Sequence, residues 1–174
     1  MLIAREKRKT NLAEYILYMW QLEDMLRALQ MDMGQVDQYV VSGFQVDDAT
    51  RKEIREWYDN LIEMMKREKV VKSGHLQVVR NMVNELTEMH FHLLYNEPDV
   101  HYHQLFMAAA NHLLDYRRKS DLPEDISDIE LALHALYGQL MLRLQKKEVN
   151  SQTTQAMELF SRMMAYLAAK YREL

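Results

Sequence analysis

The sequence predicts an all-α fold, a single-domain antiparallel helical bundle of six long helices and one short helix over residues 1–174. Three observations carry that expectation. The chain holds only four glycines and two prolines, and five of those six stand between apolar periodic segments rather than inside them. Within the segments, apolar residues recur three and four apart, the period of one helical face. Acids gather at segment starts (Asp47, Asp48, Glu97, Asp99, Asp125, Asp128) and bases at segment ends (Lys66, Arg67, Lys69; Arg117, Arg118, Lys119; Lys146, Lys147), the order that complements helix dipoles.

The first helix is expected from about Asn11 to Met31, where Asn11-Leu12-Ala13-Glu14 has the form of a capping box. Its stripe is Tyr15, Met19, Leu22, Leu26 and Leu29, which leaves Trp20, Glu23, Asp24 and Arg27 on other faces. Asp32 caps a short helix ending near Ser42, with Gly43 as a left-handed stop. Asp47 or Asp48 caps the next helix, to about Lys69, and Ser73-Gly74 closes the joint after it.

A further helix spans about His75 to Tyr95 on Val79, Met82, Val83, Leu86, Met89, His90 and Leu93. Pro98 suits the first position of the following helix, because its missing N–H would have had no partner there, and Leu105, Ala109, Leu113 and Tyr116 carry the stripe to about Lys119. Ser127-Asp128-Ile129-Glu130 is a second capping box, opening a helix to about Lys147. Asn150 or Ser151 caps the last helix, to about Tyr171. Starts fall at irregular intervals without a shared motif, so a solenoid is not indicated.

Zero cysteines exclude disulfides, thiolate zinc sites and a cysteine nucleophile. A formal charge of −4 and a pI near 6.0 argue against a phosphate-binding surface. The basic residues are therefore read as helix ends, and Arg5 to Lys9 as a solvated N-terminal turn. Nucleic-acid binding through that run and Arg51, Lys52 and Arg55 would need a basic face the net charge does not supply. No apolar signal core follows the basic start, and the longest uncharged run, Val100 to Leu114, is shorter than the ~20 apolar residues of a bilayer span. These features predict a cytoplasmic protein that binds neither membrane nor nucleic acid.

The segments Ala13-Glu14-Tyr15-Ile16-Leu17-Tyr18-Met19-Trp20-Gln21-Leu22-Glu23-Asp24 and Ala135 to Glu148 resemble a family of uncharacterised all-helical proteins from Bacteroidetes, labelled a domain of unknown function. The likeness covers nearly the whole chain. It implies a bacterial, cytoplasmic protein and transfers no catalytic residue, cofactor or site.

The seven histidines offer little to a metal: none lie three or four apart, and the two H-x-H pairs, His90/His92 and His101/His103, point roughly 160° apart on a helix. No glutamate precedes a histidine by three, as a di-iron bundle site requires. Carboxylate–histidine pairs four apart (Glu88/His92, Glu97/His101, Asp99/His103, Glu130/His134) are ordinary on charged helices. No metal, cofactor or catalytic residue is therefore expected.

His90, His112 and His134 lie on or beside apolar stripes and read first as satisfied core histidines. Their functional alternative is a ligand-binding or enzymatic pocket between helices, with Glu130, Asp115 and Tyr137 as neighbours. Trp20, Glu23, Asp24 and Arg27 form a second polar group, by default a solvated face and otherwise an interface, since Trp and Arg are enriched at binding hot spots. Glu23 and Arg27 have the four-residue spacing of an ion pair.

The stretch Leu131 to Leu144 is apolar around its circumference, so that helix is either central or shared with a second subunit, and Gly138 in its middle would admit a close backbone. The leading expectation is a non-enzymatic interaction or scaffold protein that self-associates as a homodimer. The competing one is the histidine–carboxylate pocket.

Overall fold

The computed structural model describes residues 2–173, with side chains described from Glu6 onward. Among them are eight α-helices and no strand: α1 (Leu2–Thr10), α2 (Leu12–Ala28), α3 (Met33–Tyr39), α4 (Asp48–Arg67), α5 (Gln77–Phe91), α6 (Val100–Lys119), α7 (Asp128–Leu144) and α8 (Ser151–Arg172). The all-α helical fold is as expected. Contacts group the chain into two compact units, Glu14–Asn81 with the residues before Thr10, and Thr10–Ala13 with those from Met82 on; the division falls inside α5.

Four predicted caps form as the spacing requires. Asp32, Asp47, Ser127 and Asn150 accept from the backbone N–H groups of Gln35, Thr50, Glu130 and Thr153, each satisfying a donor the first helical turn leaves open. Asp99 does the same for Tyr102, so α6 starts at Val100 and Pro98 stands outside it. That corrects the expected role of Pro98: a carboxylate already supplies the cap one residue later.

The remaining departures each have a local cause. The basic run 5–9 lies within α1 rather than a turn; its residues are good helix formers and place Lys7, Arg8 and Lys9 in the last turn. Gly43 is not a left-handed stop, because α3 ends at Tyr39 and the chain tightens into a 3-10 turn over Val41–Gly43. Beyond α5 the backbone widens into a π-helical turn, His92–Asn96, that the unbroken apolar phasing through Leu93 and Leu94 does not signal.

Helix ends are built without glycine. Gln30, Met31, Lys69 and Lys146 hold φ values of 55°, 57°, 60° and 56°. The N–H groups of Met31, Val70 and Lys147 reach back to the carbonyls of Leu26, Met65 and Leu142, the six-to-one bond of a Schellman stop in which lysine or glutamine takes the glycine place.

In the first unit α2 buries about half of its circumference, an arc that holds Ile16, Met19, Trp20, Leu22 and Leu26, and leaves Glu14, Asp24 and Ala28 exposed on the other side. α3 packs on α4, and Asp37 meets Arg55 at 2.9 Å. In the second unit α6, α7 and α8 pack against one another. Asp99 at the start of α6 accepts from Tyr166 near the end of α8, whereas His112 and Asp115 share a cleft with Asn150 and Thr153 at its start, so these two helices run antiparallel. Ile129, Leu131, Ala132 and Leu133 of α7 are fully buried, while its second half, from Leu136, is only partly covered. A Cβ at Gly138 would meet no heavy atom within 4 Å beyond the backbone of its own turns, which corrects its expected role in a close approach.

Candidate functional site

The first polar cluster lies in the first unit and is buried, not solvated. Trp20 is 1% exposed and Glu23 0%, because the segment joining α4 to α5 covers that face of α2. Glu23 Oε1 accepts the Leu76 N–H at 2.9 Å, Oε2 lies 2.6 Å from His75 Nδ1, and the His75 ring stacks on Trp20 at 4.5 Å. Glu23 therefore does not pair with Arg27. Arg27 binds Asp24 at 2.7 Å and the Val70 and Gly74 carbonyls, with Gly74 at φ 84°, a conformation that suits a residue without Cβ. Three of the four residues expected on a solvated face, or else at an interface, thus anchor a joint; Asp24 is left exposed.

The second unit separates the histidines. His90 on α5 is 3% exposed, with Nδ1 2.6 Å from the Tyr102 hydroxyl and edge-on rings of Phe91, Tyr102 and Phe106 around it. Burial pushes its imidazole below the ordinary value, against a smaller upward pull from Asp128, and burial lifts the Tyr102 phenol well above the usual range. His112 and Asp115 come together elsewhere, on a cleft of about 160 Å³ whose walls include neither His90 nor His134. Glu130, His134 and Tyr137 sit half-buried along α7. Among the described residues no three His, Asp or Glu side chains converge as a metal site.

His92, which the residue pattern did not single out for a pocket, also lines open space. It stands at the start of the π turn, on two adjoining clefts of about 520 and 340 Å³ that share His92 and Met89. His92 Nε2 lies 3.5 Å from Glu97; across the larger cleft, Asp99 takes a 2.8 Å hydrogen bond from Tyr166 and lies 3.7 Å from Lys170. The Tyr102 N–H, then the Tyr166 hydroxyl, hold the Asp99 carboxyl below its usual range. Tyr171 closes the smaller cleft with a hydrogen bond to Glu85.

The other open feature is an exposed helix face. On α6, Val100, Met107 and Leu114 are 73%, 57% and 50% exposed, and seven-residue spacing sets them in one row along the helix. His103, Gln104 and Asn111 between them are exposed and uncharged, so the row is not interrupted by a formal charge until Arg118. Phe91 and Tyr95, also exposed and stacked at 6.2 Å, flank the same helix, since Phe91 and Phe106 pack on one histidine ring.

Capped helices, histidines set apart from one another and an exposed, uncharged row on one helix define an all-α helical protein. The chain belongs to a family described as a domain of unknown function, DUF4924, whose model matches residues 1–174. No curated protein and no solved structure matches it. No helix among the described residues is long and apolar enough to cross a membrane.

Proposed function

We propose that this chain is a helical interaction protein whose α6 face seats an amphipathic helix of a partner. The carrying observation is the exposed row Val100, Met107 and Leu114. Long apolar side chains at heptad spacing are what a second helix packs against, whereas scattered single exposures need no explanation. Methionine at the centre suits such a seam, being unbranched and adaptable. The row has charge only at its ends, Glu97 before it (81% exposed) and Arg118 after it (77% exposed), so it specifies a partner helix with an apolar seam and the opposite charge at each end.

A photo-reactive amino acid at position 107, with one at the exposed Asp59 of α4 as control, tests this in cells that make the protein. The expected result is a discrete adduct from position 107 alone, mapping by mass spectrometry to an amphipathic helix. Equal adducts from both positions, or none from 107, would remove the proposal.

A ligand-binding reading attaches to the paired clefts around His92, whose combined size suits a small molecule. A thermal-shift panel of amines and carboxylates should then give a stabilising hit that His92→Ala abolishes.

A further inference from the structure

We infer that the helix seated on α6 is α6 of a second copy, running antiparallel about a two-fold axis at Met107. This rests on the docking reading above and names its partner. The chemistry of the face is symmetric about its middle: seven residues before Met107 stands Val100 and seven after it Leu114, while His103 and Asn111, four to either side, are exposed and uncharged. In an antiparallel pair centred on Met107, Val100 of one copy meets Leu114 of the other at both ends, and Met107 meets its own copy. A row roughly 21 Å long is matched throughout.

Charge decides the direction. Glu97 lies at one end of the row and Arg118 at the other, so an antiparallel pair sets each against its opposite and a parallel pair sets each against itself. The other charges near the row are committed within the chain: Asp99 to Tyr166 and Lys170, Arg117 to Asp128 and to the Glu124 and Ile126 carbonyls, and Asp115 to the vicinity of Arg118 at 3.9 Å. Glu97 and Arg118 are the most exposed of these groups, and their internal partners are loose, at 3.5 and 3.9 Å. Antiparallel helices also oppose their dipoles. Two helices alone cover less than the ~800 Å² per partner of a standard interface, so the dimer is concentration-dependent rather than obligate.

The absence of cysteine makes the test clean, since each introduced thiol is the only one in its chain. Sedimentation equilibrium should show mass rising from 20.8 kDa toward twice that value with concentration, and Met107→Glu should hold it at 20.8 kDa throughout. Under oxidation Met107→Cys should link to itself, Val100→Cys and Leu114→Cys should each fail to, and a mixture of those two should form the mixed disulfide. Glu97→Arg should weaken association roughly fivefold and Glu97→Arg with Arg118→Glu should restore it. A protein that is monomeric at all concentrations overturns the second-copy inference, and so does self-linking of Val100→Cys or Leu114→Cys, which signals a parallel pair. The docking reading is judged separately: a position-107 adduct to a different chain sustains it, and loss of that adduct ends both.

Discussion

The Glu23 carboxylate and the His75 imidazole meet at 2.6 Å across a sequence separation of 52 residues, one on α2 and the other in the joint that leads to α5. A carboxylate accepts and does not donate, so His75 turns an Nδ1 hydrogen to this contact. The second carboxylate oxygen takes the Leu76 N–H, and Trp20 lies against the ring. One acidic side chain thus fixes the direction in which the chain enters α5.

Glu23→Ala removes the acceptor from two donors in a closed site. It should lower stability by about 2–4 kcal/mol, the cost of stranding buried polar groups, whereas Glu23→Gln keeps an acceptor for Leu76 and should lose roughly half as much. Urea unfolding checks both through a lower midpoint at unchanged slope. Equal losses in the two variants would show that the hydrogen bonds do not hold the joint.

Burial lowers the His90 pKa in the folded chain below its ordinary 6.5. The unfolded chain therefore binds the proton first on acidification, so the His90 contribution is full above about pH 6.5, falls as pH drops through that value, and levels off below the folded pKa. His90→Gln should flatten the stability profile between about pH 7 and 5. Tyr102→Phe, which strips His90 Nδ1 of its buried partner, should cost about 1–3 kcal/mol at pH 7.5. Stability curves across that pH range check both variants.

Gly138 occupies the middle of α7 with open space where a Cβ would stand and no positive φ. Gly138→Ala should stabilise the protein by about 0.5–1 kcal/mol, the helix-propensity difference, raising Tm by a few degrees. Calorimetry checks it. A lower Tm would mean that this position meets a backbone in the working assembly.

The helices from α2 on and four of the caps are legible because they rest on local rules, an oxygen three residues before an open N–H and an apolar row every turn; α1, short and mostly charged, carries no such row. Glu23 and Trp20 were misread for the same reason, since a wheel drawn on α2 cannot know that residues 52 to 55 positions away cover its far side. The buried arc of that helix is wider than the stripe Tyr15, Met19, Leu22 and Leu26 and takes in Ile16, Trp20 and Glu23 beside it. The clefts at His92 are not legible because their walls come from residues far apart in sequence, Met89 and His92 against Lys170, Tyr171 and Glu173. On α6 the inward row is legible in the sequence, since Ala109 and Leu113 of the expected stripe are buried; the exposed row Val100, Met107 and Leu114 is not, because apolar residues off a stripe read as ordinary single exposures.

Left-handed lysine and glutamine at the ends of α2, α4 and α7 give these helices a weakness of position rather than of composition. A non-glycine residue in that conformation costs roughly 1–2 kcal/mol, which the neighbouring packing must offset. Amide exchange should accordingly be quickest around Gln30, Lys69 and Lys146 and slowest in the middle of each rod. The molecule would loosen as stiff pieces parting at their elbows before any piece melts along its length.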